Sequence, residues 1–222
     1  MIKLVAFDWN GTLFADTKAV LESVNEVQKA FSLEVLTLKR FRDTTQVPIS
    51  EFYSANGMDF ETLANPHQIS SIFHPTYEKK AVKIRTRQNT KLVLAWLEEN
   101  KIERVIISNH VDEMIDLQLN RLKIKKYFST LLANPKRDFA IRKRTKRKRL
   151  ERYAKEKGIS FAEILVVGDA LEEIEIAKEI GTLSVAITDG HCSTKRLKAA
   201  KPDYLISDLG NLINIIRDIN TI

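Results

Sequence analysis

The sequence predicts an α/β fold: a parallel sheet with crossover helices, interrupted after its first strand by a helical insert. Three observations carry this expectation. From about residue 88 onward, short apolar runs alternate with amphipathic helical stretches, the rhythm of parallel strands joined by helices. An isolated run at residues 2–7, apolar but for Lys3, stops abruptly at Asp8, as a buried strand does. Between them, the chain shows helical periodicity and polar character without a convincing alternating strand. The expected organisation is a discontinuous α/β core of residues 1–14 and 88–222, with residues 15–87 inserted as a helical unit.

Taken in order, residues 3–7 read as the first strand and lead into the turn Asp8-Trp9-Asn10-Gly11-Thr12. Over residues 17–31, Val20, Leu21, Val24, Val27 and Phe31 recur at helical spacing. Thr37 is placed to cap a helix over 38–44, since its hydroxyl can accept from a free first-turn amide. Further helices are expected over 51–55, 60–64 and 66–80, with Asn56-Gly57, Asn65-Pro66 and His74-Pro75 as breaks. A helix over 90–99 gathers Leu92, Val93, Trp96 and Leu97 on one face. It precedes a strand over 104–107 that ends at Ser108-Asn109. A helix over 114–122 and a strand over 128–132 follow, then a helix over 145–157 stopped at Gly158. The strand over 164–167 ends at Gly168-Asp169, and the helix over 172–180 stops at Gly181. Strands over 183–187 and 204–206 and a helix over 209–219 close the chain.

The length of 222 residues suits one large domain or a core with a smaller insert. No apolar run is long enough to span a bilayer, and the N-terminus lacks the basic-then-apolar layout of a signal peptide. The single cysteine, Cys192, excludes an internal disulfide and a thiolate metal cluster, and a reducing cytoplasm is the expected location. Its neighbour His191 does not make it a paired nucleophile, because adjacent residues on a strand or loop point apart. The formal charge of +7 is concentrated: residues 136–149 hold nine Lys and Arg against Asp138, a segment charge of +8 that leaves −1 elsewhere. That patch, Lys136 to Arg149, can bind nucleic acid, steer anionic substrates, or form a solvated helix face. It lacks the interleaved aromatics of a single-strand platform, having only Phe139.

Ligands of open parallel sheets bind beyond the carboxyl ends of the strands. Asp8, Ser108-Asn109 and Gly168-Asp169 each stand at such an end, so two carboxylates and a hydroxyl are expected in one crevice. Carboxylates brought together repel unless a cation lies between them, and a hard oxygen site suits magnesium. The competing roles are ordinary ones: helix N-caps for Asp8, Asp169 and Ser108, and solvated first-turn acids for Glu172 and Glu173. None of the four histidines, His67, His74, His110 and His191, has metal-ligand spacing.

Four segments in order carry a more specific signal. They are Phe7-Asp8-Trp9-Asn10-Gly11-Thr12-Leu13, Ser108 after its strand, Lys146 at the start of the helix before Gly158, and Gly168-Asp169 followed by Glu172-Glu173. Together they resemble the four motifs of the haloacid dehalogenase superfamily, over nearly the whole chain and including Lys201-Pro202-Asp203-Tyr204. The insert resembles the small helical cap of the phosphoglycolate-phosphatase-like members. The resemblance implies a Rossmann-like parallel core and a Mg²⁺-dependent phosphatase acting on a small phosphorylated substrate. It implies Asp8 as the nucleophile that forms an aspartyl-phosphate. Metal ligation would fall to the Asp8 and Asp169 carboxylates and the Asn10 carbonyl, supported by Glu173 or Glu172. Ser108, Asn109 and nearby amides would hold phosphoryl oxygens, and Lys146 would neutralise charge, with Lys143 and Lys148 as rivals.

One position departs from the family pattern. Members that hydrolyse phosphoesters usually carry a second aspartate two residues after the nucleophile, where this chain has Asn10. An amide cannot exchange a proton with the leaving group, a contribution worth about 10²–10⁴-fold in rate. The resemblance therefore implies a slower phosphatase or one suited to leaving groups that need little protonation. The alternatives are a binding protein weakened in catalysis and a phosphonate hydrolase using Lys39, Lys79, Lys80 or Lys83. Arg40, Arg42, Tyr53 and Arg85 are the insert residues whose chemistry suits substrate recognition.

Overall fold

All four residues of β1 (Leu4–Phe7) are buried, and their alternation sorts them to opposite faces of a sheet. Val5 and Phe7 join an apolar layer on one face, and Leu4 and Ala6 join a second layer on the other. A strand buried on both sides reads as continuously apolar, which is why this short segment is legible in the sequence. The structure is a computed structural model that describes residues 1–135 and 145–221.

β1 lies in a six-stranded parallel sheet of order β3-β2-β1-β4-β5-β6. Its other members are β2 (Glu103–Val111), β3 (Thr130–Asn134), β4 (Ile164–Gly168), β5 (Leu183–Ile187) and β6 (Tyr204–Ile206). The expected Rossmann-like parallel core is therefore present. One face is covered by α6 (Thr90–Glu99), α7 (Asp112–Leu122) and α11 (Asn211–Asn220), through Val93, Leu97, Ile115, Leu119, Leu212 and Ile216. The other is covered by α8 (Lys146–Lys157) and α9 (Leu171–Ile180), through Leu150, Ala154, Ile176 and Ile180. Gly158 and Gly181 end these two helices at positive φ, 66° and 77°, as left-handed C-terminal stops. A short α10 (Thr194–Ala199), which the apolar pattern did not reveal, seats Leu197 beside Cys192.

β2 is longer than the sequence implied. It continues through Ser108 and Asn109 to Val111, with a register shift after Ile107 that pairs Val111 with Asn134. The polar pair thus stands within an irregular strand end and not in a loop beyond it. The irregularity re-aims side chains next to the crevice.

Five helices fill the stretch between β1 and α6: α1 (Thr17–Ala30), α2 (Leu38–Thr44), α3 (Ile49–Ala55), α4 (Phe60–Ala64) and α5 (Pro66–Ala81). They bury a cluster of their own that includes Val24, Val27, Phe41, Phe52, Tyr53 and Ile69. Thr37 caps α2 as expected, its side chain accepting from the Arg40 amide. The chain enters and leaves this segment side by side: Ala15 N donates to Arg85 O, Arg87 N donates to Leu13 O, and Phe14 bridges Thr86. Among the described residues, no helix is long and apolar enough to cross a membrane.

Candidate active site

β2, β1 and β4 are neighbours at the centre of the sheet, so the residues at their carboxyl ends converge. After β1 the chain coils tightly, with Trp9 O accepting from the amides of Thr12, Leu13 and Phe14, and the Trp9 ring stacked on Phe14 at 4.9 Å. Gly11 adopts φ +73°, and a Cβ there would sit 2.2 Å from Asp169 Oδ2. A Cβ on Gly190 would meet the same oxygen at 2.2 Å. The two glycines make a close cradle for the Asp169 carboxylate, which also accepts from Thr12 Oγ1 at 2.8 Å and His191 N at 2.6 Å. Asp8 is buried at the end of β1, and neither aspartate serves as a helix cap.

Lys146 enters from the first turn of α8 and is buried. Its Nζ lies 2.7 Å from Asp8 Oδ1, 2.5 Å from Glu173 Oε1 and 3.4 Å from Glu172 Oε2. Glu172 and Glu173 are buried in the first turn of α9, so they are not solvated helix-end acids. Burial alone would push the Lys146 ammonium down, but Asp8, Glu173 and Glu172 outweigh it and hold it well above the usual lysine range. Burial raises Asp8, opposed by Lys146 and reinforced by Glu173 and Asp169. Among the described residues the cluster therefore holds more negative charge than its one ammonium offsets, and Glu172 Oε1 and Glu173 Oε2 are buried without hydrogen-bond partners. Such an excess of hard oxygen donors fits a divalent cation. Among the described residues no three Asp, Glu, His or Cys side chains form a ready metal cage. A site built here would need backbone carbonyl or water ligands besides the carboxylates.

Lys148 is exposed, and Lys143 lies outside the described residues. Residues 136–144 of the basic run are likewise outside them. Of the rest of the run, Arg149 donates to Asn134 Oδ1 and Ser108 O, and Arg147 pairs with Glu151 and Glu179. These contacts give part of the patch a structural use.

Ser108 is buried beside Asp8's strand, its hydroxyl accepting from the His110 amide at 3.1 Å. Asn109 is differently engaged from the expectation that it holds a ligand: its amide donates to Glu172 Oε2 at 2.7 Å and its carbonyl accepts from Asn134. Among the described residues its buried Oδ1 has no hydrogen-bond partner. Cys192 is buried, and burial pushes its thiol up to about 11, so it is no nucleophile.

The residue that the motif alone does not explain is Asp16. It is fully buried; Oδ2 accepts from Asn10 Nδ2 and from Tyr77 Oη, each at 2.6 Å, and Oδ1 accepts from Gly11 N at 2.8 Å. His191 Nε2 stands 3.3 Å from Oδ1. Burial would raise the Asp16 carboxyl, but His191, Tyr77 and Asn10 together hold it below the usual range. In the sequence Asp16 reads as the residue before a helix, and nothing there brings together positions 10, 16, 77 and 191.

Two predictions arise from this network. In Asn10→Asp a carboxylate replaces the amide now 2.6 Å from Asp16, and two like charges at that distance cannot both ionise. The expected result is a loss of about 1–3 kcal/mol near neutral pH, shrinking in mild acid as the pair takes up a proton. Thermal melts across pH read it directly. The second concerns His191. Burial would lower its imidazole, but Asp169, Asp16 and Asp8 outweigh that and raise it to about 9 from 6.5. A raised imidazole stabilises the fold fully below its unfolded value, and the contribution is lost as pH rises through the folded value. Stability of the metal-free protein is therefore expected to decline between about pH 6.5 and pH 9. Urea unfolding of His191→Gln should show that slope flattened.

Above the site, helices of the α1–α5 segment and the strand ends of the core line a partly open cavity of about 220 Å³ that reaches Asp8, Ser108 and Lys146. Tyr53 lines it, as its chemistry suggested, but Arg40, Arg42 and Arg85 do not. Arg40 bonds Asn56 and the carbonyl of Ala55, Arg42 bonds the carbonyls of Gly190 and Asp189, and Arg85 is exposed.

A parallel α/β sheet whose central strand ends gather buried carboxylates, a lysine and a serine under a helical segment defines a class of hydrolytic enzyme. The model of the haloacid dehalogenase-like hydrolase family matches residues 5–187, and the chain belongs to that family. It is 23% identical to the phosphoglycolate phosphatase of Vibrio cholerae, over 97% of each chain. It is 26% identical to a candidate pyrophosphatase, PpaX, of Caldanaerobacter subterraneus, over 97% of this chain and 95% of that one. The fold superposes on a predicted phosphatase from Clostridium acetobutylicum with a TM-score of 0.82, at 19% identity and over 98% of this chain and 99% of that one.

Proposed function

We propose that this chain is a magnesium-dependent phosphatase that transfers the phosphoryl group of a small phosphorylated metabolite to Asp8 and then to water. One observation carries the reading: a buried carboxylate at the end of the central strand is paired at 2.7 Å with a buried lysine. Such a pair puts a nucleophile and a phosphate-neutralising cation at one point. An Asp8 carboxylate oxygen bonds to phosphorus as the ester P–O bond breaks. Water then cleaves the acyl phosphate and regenerates Asp8. Lys146 holds its proton throughout and offsets charge on Asp8 and on the phosphoryl oxygens. The Ser108 hydroxyl and neighbouring amides hold those oxygens in place. Magnesium, held by the Asp8 and Asp169 carboxylates and the Asn10 carbonyl with Glu173 behind them, would neutralise the phosphoryl group when bound.

Residues 15–87 act as a cap that selects the leaving group, on a core of 1–14 and 88–222. Asn10 supplies no proton to that group, so esters with weakly basic leaving oxygens are favoured. The test is phosphate release from a panel of phosphoesters that includes acetyl phosphate, with and without EDTA. Magnesium-dependent release is expected; no release from any compound would sink the reading. The phosphoglycolate phosphatase relative supports the class of reaction.

A further inference from the structure

The wall of the cavity above Asp8 has a chemistry of its own. Three helices each contribute an apolar pair at i,i+3 or i,i+4 spacing: Val20 and Val24 from α1, Ile49 and Phe52 from α3, Ile69 and Phe73 from α5. Among the described residues, the α1–α5 segment places no lysine or arginine in this wall. Its one basic group there is the ring of His74, set edge-on to Phe73. Of the segment's basic residues, Arg40 and Arg42 are bonded to backbone carbonyls and Lys80 is paired with Glu22. The cations of the lining, Lys146 and His191, stand at the catalytic end, so among the described residues an anionic tail carried toward the helical wall would meet apolar side chains and no lysine or arginine, which is unfavourable.

Size narrows the choice further. A dry apolar cavity of about 150 Å³ is large enough to hold a benzene ring. The 220 Å³ here therefore holds roughly a ring and a phosphoryl group. At the catalytic end, Asn10 is pinned by Asp16 and Tyr77 and carries no exchangeable acid proton for the departing oxygen. A phenol-type oxygen leaves as an anion far more readily than an alkyl alkoxide does.

We propose that the substrate is an aryl phosphomonoester with an uncharged ring, its phosphoryl group at Asp8 and its ring against the α1, α3 and α5 apolar pairs. This assignment rests on the phosphatase reading above. In the net reaction the aryl P–O bond breaks, a water oxygen takes its place on phosphorus, and the aryloxide takes up a proton from that water. A carboxylated ester such as phosphoglycolate is disfavoured by the same wall.

The experiment compares kcat/KM of the full-length, magnesium-loaded enzyme on phenyl phosphate, 4-carboxyphenyl phosphate and phosphoglycolate. The two aryl esters have leaving groups of similar basicity, so their ratio reports the added carboxylate, its charge and its bulk, and not leaving-group ability; the response to a lysine in the wall separates charge from bulk. Phenyl phosphate is expected to lead both others by about tenfold or more. Ile49→Lys, a change at a half-buried position, should narrow the gap between the aryl esters, chiefly through KM. Equal or better turnover of either carboxylated ester by the wild type overturns the proposal, whatever the variant does. Release from other phosphoesters but none of these three also overturns it and leaves the phosphatase reading standing. No release from any phosphoester removes both.

Discussion

Asp8→Asn is expected to lower phosphate release by on the order of 10⁴-fold or more, as loss of a catalytic nucleophile does. The same change should leave the fold intact or slightly stabilised. Asp8 is crowded by Glu173 and Asp169 in a buried site, and its carboxyl is already held well above the usual range. An amide there removes one charge from an over-negative cluster, while Lys146 keeps Glu172 and Glu173 as partners. A dead enzyme with an unchanged or higher Tm is the signature of a residue kept for chemistry and not for stability. Steady-state assays and thermal melts on one preparation measure both halves of the prediction.

Lys146→Met should behave in the opposite way. It removes the buried Lys146 ammonium, the one among the described residues that contacts Asp8, Glu172 and Glu173, and leaves three buried carboxylates facing one another. Breaking a buried pair from one side costs about 3–5 kcal/mol. Loss of a preorganised cation at the phosphoryl group costs about 10²–10³ in turnover. The destabilisation should ease as pH falls and the carboxylates take up protons, and excess magnesium should offset part of it. Lys148→Ala, on the exposed side of the same helix, serves as the control and should change neither quantity appreciably.

The contrast between these two variants tracks what the sequence could and could not disclose. β1 and β4 are buried on both faces, so their apolar runs end sharply and mark Asp8 and Asp169 without ambiguity. Gly158 and Gly181 mark helix ends because each stop needs a left-handed residue. β2 looks short in the sequence because Ser108, Asn109 and His110 are polar, although they continue the strand beside β3. Polar residues inside a strand break the hydrophobic pattern at the point where a site is built. The Asp16 network was invisible for a different reason. Its members are separated by up to 175 positions, and each looks ordinary alone: an acid before a helix, a tyrosine in a polar helix, a histidine beside a cysteine. Only the fold brings them to Asn10. The lysine at the start of α8 was legible by motif, but nothing in the run of cations told Lys146 from Lys148; burial does.

On the proposed mechanism Asp8 carries the phosphoryl group during turnover. Acid quenching the enzyme during hydrolysis of a phosphorus-labelled ester, followed by peptide mapping, tests it most directly. An acid-stable, hydroxylamine-labile label is expected on the peptide containing Asp8, absent in Asp8→Asn. Labelling of a different residue, or sustained turnover in Asp8→Asn, would contradict it.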